Sequence, residues 1–251
     1  MYKGKPCQVK SHQQIHEHIA WGRGMDPGAR RIFLADGNCL ALETELLLEI
    51  LKELYEQFPH LERVALYGGP RDILAKSNEE LKALQQAGLH LVYLGVESGS
   101  AQVLGMMKKG VTPEEMTKAG VRVQQASISL SCMLISGLGG RELWREHALE
   151  SARVINAINP KYLALLTLMV EENTPLCKLV QAQEFQLLSP QAVLAETLLL
   201  LENLDLDTCT FRSNHPSNYL NLTGVLSRDK QMLIEQLRQA RDFRSEGWRA
   251  L

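Results

Sequence analysis

Short apolar segments recur along this chain about every 30 residues, each followed by polar or glycine residues and then by a helical pattern. The segments are residues 31–35, 64–67, 91–96, 129–135 and 162–170. This interval is the size of one strand–helix unit, and repeated units of this kind pair their strands in parallel with right-handed crossovers. The pattern therefore predicts an α/β protein built around a parallel sheet.

The segments between the predicted strands have the periodicity and end signals of helices. Residues 43–58 place leucine and isoleucine side chains on one face, and residues 78–87 stop before Gly88. Thr112-Pro113, followed by two acidic residues, predicts another helix start. Further helices are predicted at 142–158, 190–201 and 229–243, a short helix after Ser11, and a last strand at 208–212.

All five predicted strands end in residues that could contact a ligand. The endings are Asp36-Gly37-Asn38, Gly68-Gly69, Glu97-Ser98-Gly99, Ser136-Gly137 and Glu171-Glu172. Because ligands of parallel α/β sheets bind outside the carboxyl ends of the strands, we expect these endings to meet at one edge. The simpler alternative for Ser98 or Ser100 is a helix N-cap.

Composition limits the classes of protein to consider. Of 251 residues, 45% are hydrophobic and 22% charged, which is typical of a globular protein. A net charge of −2 gives no indication of nucleic-acid binding. No apolar run approaches the roughly 20 residues of a membrane helix, and the first residues lack the apolar region of a signal peptide, so we predict a cytoplasmic protein. We expect one domain, with a core at 1–173 that residues 174–251 complete as a C-terminal extension.

The histidines and cysteines do not predict a metal site. Five cysteines are scattered without metal-ligand spacing, and an odd number suggests reduced thiols. Cys132 lies in an apolar segment and is expected in the core. His12 and His16 share a helix face, but without a third placed ligand a solvated face is the better interpretation.

The predicted strand ends favour some chemistries over others. They carry no lysine for Schiff-base catalysis, since Lys161 lies at the opposite end of its strand. Glu97 with Glu171 or Glu172 could serve a carboxylate-based hydrolase, although only 6% of the residues are aromatic, few for a sugar site. The glycines at Gly68-Gly69 and at 137–140 would let an extended cofactor approach the backbone closely.

Several short motifs, in this order and spacing, carry a resemblance to a known family. They are Phe33-Leu34-Ala35-Asp36-Gly37-Asn38, Tyr67-Gly68-Gly69-Pro70-Arg71-Asp72, Tyr93-Leu94-Gly95-Val96-Glu97-Ser98-Gly99-Ser100, Lys109-Gly110-Val111-Thr112, Ile135-Ser136-Gly137-Leu138-Gly139-Gly140, Arg212-Ser213-Asn214-His215 and Ser217-Asn218-Tyr219-Leu220. Over essentially its whole length the chain resembles the radical S-adenosylmethionine (SAM) superfamily, in particular its Fe–S oxidoreductase-like members.

The resemblance implies a partial (β/α)6 TIM-like barrel of parallel strands with a C-terminal helical extension. Gly68-Gly69 would meet the methionyl amino group of SAM, and Glu97-Ser98 the ribose or carboxylate. Ile135 and Gly137 would lie against the adenine. The residues that the resemblance places on the substrate side are Asp36, Asn38, Asn214 and His215.

The chain departs from the family at its defining motif. Radical SAM proteins hold a [4Fe–4S] cluster with a CxxxCxxC loop after the first strand, and this sequence contains no such loop. We expect the chain to begin inside the family's domain, without the first strand and the cluster loop. SAM and the cluster are then expected of the complete family member, and the cluster is not expected in this chain, because Cys7 and Cys39 cannot replace a compact set of thiolates. The exposed edge of the next strand would be covered by residues 1–25 or by a second copy of the chain.

Three functional hypotheses follow. The first is the core of a radical SAM enzyme, which reduces SAM with an external electron donor to generate a radical on an unidentified substrate. The second is a cluster-free module of the same fold that binds SAM or a nucleoside. The third is the carboxylate-based hydrolase that depends on Glu97.

Overall fold

A computed structural model describes residues 8–35 and 37–242, so the predicted site residue Asp36 lies outside the described residues. Within them, seven strands form one open sheet in sequence order. The strands are β1 (Arg31–Leu34), β2 (Arg63–Tyr67), β3 (Leu89–Glu97), β4 (Ser129–Ser136), β5 (Tyr162–Thr167), β6 (Thr210–Ser213) and β7 (Leu222–Val225). The first six are parallel, and β7 is antiparallel to β6. The predicted α/β fold with a parallel sheet is confirmed.

Ten α-helices and one short 3₁₀ helix (Cys39–Ala41) accompany the sheet in the described residues. The α-helices are α1 (His12–Met25), α2 (Thr44–Gln57), α3 (Pro70–Ala75), α4 (Asn78–Gln86), α5 (Ala101–Met106), α6 (Pro113–Gln125), α7 (Gly140–Ile158), α8 (Pro175–Gln181), α9 (Pro190–Asn203) and α10 (Leu226–Asp242).

Local sequence explains where several helices begin. Ser11, Ser77 and Thr112 each form a capping box with a Gln or Glu three residues later, at the starts of α1, α4 and α6. Ser100 caps α5, because its hydroxyl accepts a hydrogen bond from the Val103 N–H at 3.1 Å. The capping alternative is therefore confirmed for Ser100.

One strand prediction needed correction, and one strand was missed. The strand predicted at 162–170 ends at Thr167, because the loop after β6 occupies the position beside its last residues. Strand β7 was not predicted, since four residues that include a glycine lack a recognisable alternation.

The two faces of the sheet have different surroundings. Val92, Leu94 and Val96 of β3 are fully buried in the core against the helices. The opposite face, which we call the open face, carries Phe33 and Tyr67, 39% and 42% exposed. Their rings meet edge to face at 4.9 Å between centroids, and Tyr93 lies within 5.8 Å of both. The open face therefore presents a partly exposed aromatic cluster beside the carboxyl ends of β1–β3.

Helix α1 packs against α2 and contributes Ile19 to the core. His12 and His16 pair with Glu49 and Glu53 of α2, at 3.2 and 2.5 Å, which agrees with a solvated helix face. In the described part of the chain, β1 pairs only with β2. Cover of its outer edge by residues 1–25 or by a second copy stays a prediction.

The segment after residue 173 shares the sheet and core of the segment before it. Strand β6 pairs with β5, and α9 packs against α7. The exact boundary at residue 173 stays a prediction. Among the described helices, none has both the length and the apolar character needed to span a bilayer, and the cytoplasmic location also stays a prediction.

Candidate functional site

The carboxyl ends of β2, β3 and β4 bring three predicted site residues to one edge of the sheet, which we call the rim. Gly68 follows β2, Glu97 ends β3 and Gly137 follows β4, and these strands are parallel neighbours. The Gly68 N–H continues the ladder by donating to the Tyr93 carbonyl at 3.0 Å. The expectation that the strand ends meet at one edge is confirmed for these three strands.

Glu97 is held at the rim in an unusual backbone conformation. Its φ of 64° is in the left-handed region, which residues other than glycine seldom adopt. Its carboxylate folds back over Gly95, where a Cβ would collide with Oε1. Oε1 lies 3.2 Å from the Nζ of Lys109 in the loop after α5. A partly exposed ion pair is thus presented on the open face.

Asn38 lies beside the glycine pair. Its Oδ1 accepts the Gly69 N–H at 3.1 Å, and its amide nitrogen donates to the Asp72 carboxylate in the first turn of α3. Arg71, the neighbouring residue, donates to the Gly110 carbonyl. These contacts connect the end of β2 to the loop that carries Lys109.

Ser98 lies behind the rim, fully buried. Its hydroxyl is 2.8 Å from Nδ1 of His147 in α7 and accepts the Ser100 N–H at 3.0 Å. The other ring nitrogen of His147, Nε2, lies 3.1 Å from the Ile135 carbonyl. All groups are satisfied if Nε2–H donates to Ile135 and the Ser98 hydroxyl donates to Nδ1. Burial lowers the pKa of His147 to about 4, opposed by the bond to Ile135.

A carboxyl group from α9 holds the end of β4. Glu196 is 2% exposed, and its Oε2 accepts the Gly137 N–H at 2.6 Å. Burial raises the pKa of Glu196 to about 8, and the Gly137 N–H opposes the rise. Gly137 has a φ of 84°, which explains the glycine at this turn.

The loop after β6 completes the end of β5. The Ser217 hydroxyl accepts the Thr167 N–H at 3.0 Å, and Asn218 donates to the Leu165 carbonyl at 2.8 Å. Strand β6 pairs with β5 only as far as Ala164, so these two side chains replace the backbone ladder beyond it. The Ser217 N–H also donates to Nδ1 of His215 at 3.1 Å, so the neutral ring carries its hydrogen on Nε2.

The structure positions the remaining predicted residues as follows. Asn214 and His215 are exposed in the loop after β6, and Ile135 contributes its carbonyl to His147. The cofactor and substrate roles of all these residues stay predictions, those of Ser98 and Asp36 included. The prediction that Glu171-Glu172 end the fifth strand was wrong, because β5 ends at Thr167 and both residues are exposed in the loop before α8.

Sequence reasoning missed four residues at or behind the rim: Asp72, Lys109, His147 and Glu196. Asp72 and Lys109 stand inside motifs that carried the family resemblance, and charge next to a strand-end glycine was a usable signal. Glu196 interrupts the apolar run of α9, and an acidic residue within an apolar helix was a usable signal. For His147 no comparable local signal exists.

The described residues do not fit an iron–sulfur cluster. They contain no group of three or more His, Cys, Asp or Glu residues that could hold a metal ion. Cys132 is fully buried and burial raises its thiol pKa, as expected for a core residue. Burial also raises the pKa of Cys209 to about 12. At the rim a carboxylate, an ammonium group and glycine backbone meet, and these groups can form hydrogen bonds to a polar ligand.

Comparison with solved structures shows the same fold in several proteins, one of which is described as a radical SAM enzyme. An N-terminally truncated Elp3 from Methanocaldococcus infernus matches with a TM-score of 0.61 and 16% identity, over 91% of this chain and 58% of that one. Methylornithine synthase (PylB) matches at 0.55 and 16%, over 82% and 58%. Coproporphyrinogen III oxidase (HemN) from Escherichia coli, a radical SAM enzyme, matches at 0.54 and 17%, over 78% and 48%.

This chain spans less than two thirds of each of these proteins. Comparison with curated proteins gives no match. The model of the radical SAM superfamily matches residues 2–152, which include β1–β4 and every strand end from Gly68 to Gly137. Members of this family use SAM and a [4Fe–4S] cluster. The chain belongs to the radical SAM superfamily.

Proposed function

We propose that this protein binds SAM at the rim and forms the core of a radical SAM enzyme. The observation that carries the proposal is the convergence of Gly68-Gly69, Glu97 and Gly137 on the carboxyl ends of three adjacent parallel strands. Such an edge is where parallel α/β proteins bind their ligands. Family membership adds the identity of the cofactor.

The Glu97–Lys109 pair would bind the polar parts of SAM. The Glu97 carboxylate can accept hydrogen bonds from ribose hydroxyls, and the Lys109 ammonium group can pair with the methionyl carboxylate. Their separation of 3.2 Å and partial exposure leave each group able to contact a ligand while neutralising the other. The left-handed backbone of Glu97 supports a binding role, because such strain is concentrated at functional sites.

Backbone groups would bind the two ends of the cofactor. Carbonyl groups at Gly68-Gly69 would accept hydrogen bonds from the methionyl ammonium group, and the Gly69 N–H is held by Asn38. Ile135 and Gly137 would contact the adenine, and Ser98 would act from behind by fixing the strand end that carries Glu97.

The substrate would approach from the open face. Asn38, Asn214 and His215 are exposed polar groups near the carboxyl ends of β1 and β6, and Phe33 and Tyr67 offer apolar surface on β1 and β2. The substrate would be a small or macromolecular compound, with electrons from an external donor. Asp36 is included in this proposed set by its sequence position alone.

SAM, when bound and reduced at a cluster, supplies a carbon radical that abstracts hydrogen from a substrate. Because the described residues do not hold a set of cluster ligands, no step of that reduction is assigned to them. The same observation favours a second candidate, a module that binds SAM or a nucleoside without a cluster.

Two measurements test these proposals. Isothermal titration calorimetry should show SAM binding that weakens at least about tenfold in Glu97→Gln, whereas Glu45→Gln on α2 should bind like the wild type. Iron and sulfide analysis after anaerobic reconstitution of the chain extended upstream in the same reading frame then separates the candidates, since about four of each per chain supports the enzyme and none supports the module. Absence of SAM binding would contradict both.

A further inference from the structure

Glu196 is a buried carboxyl group whose bonding is incomplete. Its side chain is 2% exposed, yet Oε1 has no hydrogen-bond partner among the described residues. Oε2 accepts the Gly137 N–H, and the nearby Ser136 hydroxyl also lowers the pKa of the carboxyl group. An unpaired buried polar atom is destabilising, so its presence in a native structure needs an explanation.

The residue that Glu196 contacts is the turn at the end of β4. Gly137 has a φ of 84°, and a Cβ there would meet only Leu168 at 3.7 Å, so the backbone conformation is what requires glycine. Its carbonyl accepts the Gly140 N–H at 3.1 Å as α7 begins. The N–H of Gly137 is therefore held by Glu196 and its carbonyl by the start of α7, so the Glu196 contact helps to fix the conformation of this turn at the rim.

No charged group of the described residues is positioned to neutralise an ionised Glu196. Among elements packed against α9, α7 contributes His147, which is bound to Ser98 and Ile135 and whose pKa is lowered to about 4 by burial. Helix α10 contributes Lys230 and Arg238, but these contact the far end of α9 at Glu202 and Leu204. The neutral carboxyl group is therefore the form that this environment accommodates.

We propose that Glu196 is a positioning residue whose neutral carboxyl group holds Gly137 in the conformation that binds the adenosyl part of SAM. The inference rests on the proposed function for its ligand, and on the contact geometry for its mechanism. On loss of the proton the Gly137 N–H binds the carboxylate more strongly, but this single donor does not offset the burial of the charge, and the turn rearranges to admit water or a cation. Affinity for SAM should consequently fall on ionisation of Glu196.

The test compares the wild type with Glu196→Gln and Glu196→Ala. Glutamine retains an acceptor for the Gly137 N–H but cannot ionise, and alanine removes the acceptor. Glu202→Gln, an exposed change on the same helix, is the matched control. SAM binding to the full chain is measured by calorimetry at pH 7 and pH 9, and the Gly137 amide is followed by ¹H–¹⁵N NMR between pH 6 and 9.5.

With a pKa of about 8, roughly one tenth of Glu196 is neutral at pH 9, so the wild type should lose about tenfold in SAM affinity. The α-amino group of SAM also titrates in this range, and Glu196→Gln reports that effect alone. We expect a smaller loss in Glu196→Gln, weak binding at both pH values in Glu196→Ala, and wild-type behaviour in Glu202→Gln. Equal losses of SAM affinity between pH 7 and pH 9 in the wild type and Glu196→Gln would overturn the proposal.

The NMR titration separates this inference from the proposed function. The Gly137 amide should titrate near pH 8 in the wild type and stay constant in Glu196→Gln. A Gly137 amide that does not titrate in the wild type contradicts the inference, whatever the affinity for SAM. If Gly137 titrates and no SAM binds at either pH, the proposed function is wrong, and so is the cofactor role assigned to Glu196.

Discussion

Nδ1 of His147 lies 2.8 Å from the Ser98 hydroxyl, and Nε2 of the same ring lies 3.1 Å from the Ile135 carbonyl. One imidazole therefore bridges the ends of β3 and β4 from behind the rim. A ring that is 3% exposed and bonded at both nitrogens fixes the relative positions of two strands that we propose contact SAM.

Replacing His147 with leucine should destabilise the fold. The Ser98 hydroxyl would keep the Ser100 N–H but lose its acceptor, and the Ile135 carbonyl would keep the Leu138 N–H at 3.4 Å but lose the imidazole N–H. Each buried polar group that loses a partner costs about 1–3 kcal/mol. We expect the free energy of unfolding in urea to fall by about 3 kcal/mol, and by less in His147→Gln, which retains a donor and an acceptor. A loss below about 0.5 kcal/mol in His147→Leu, the range of surface substitutions, would contradict the bridging role.

The same histidine should make the protein sensitive to acid. Its pKa is lowered to about 4 in the folded state, so between pH 6.5 and 4 the unfolded chain binds more protons than the folded one. The folded state therefore loses stability as pH falls through this window, by about 3 kcal/mol for this group. Urea unfolding at pH 7, 5.5 and 4 should show a smaller acid loss in His147→Gln. Parallel pH profiles for the two proteins would show that His147 does not cause it.

Lys109 should matter for SAM affinity and little for stability. Lys109→Met leaves Glu97 without its partner at the rim, and we expect the Kd for SAM to rise about tenfold, equivalent to about 1.4 kcal/mol. Because the pair is partly exposed, unfolding should change by less than about 1 kcal/mol. Lys108→Met is the control, since Lys108 is exposed and adjacent. Similar SAM affinities for both variants would remove Lys109 from the site.

Gly95→Ala should reveal the contact between Gly95 and the Glu97 carboxylate. The added Cβ collides with Oε1, so the side chain of Glu97 must leave its position beside Lys109. We expect a loss of about 1–3 kcal/mol in the wild-type background and near zero in a Glu97→Ala background. Urea unfolding of the wild type, Gly95→Ala, Glu97→Ala and the double variant gives the coupling energy between the two positions. An equal cost in both backgrounds would mean that Gly95 is needed for another reason.

Asn218 should be required to complete the end of β5. Asn218→Ala removes the partner of the Leu165 carbonyl and of the Thr167 hydroxyl, both buried, and should cost about 2–3 kcal/mol. Asn221→Ala is the control, because Asn221 is exposed in the same loop. Equal unfolding free energies for the two variants would contradict the idea that side chains replace the ladder here.

Much of the fold was predictable because its determinants are local. The capping boxes at Ser77 and Thr112 mark helix starts in the sequence itself, and the apolar run that became β4 has few alternatives. The strand predicted through Val170 failed because its end depends on Ser217, 50 residues away from Thr167. Strand β7 escaped prediction because its pairing with β6, rather than its own composition, defines it.

The sequence alone determined the α/β fold, the family, and the alignment of Gly68, Glu97 and Gly137 on one edge, because parallel strands joined by helices direct all their carboxyl ends the same way. Only the tertiary structure decided what stands behind that edge. His147 is 49 residues from Ser98, and Glu196 is 59 residues from Gly137. Such partners are set by how helices pack on the sheet, and side-chain contacts across that packing leave no periodic signal in the chain.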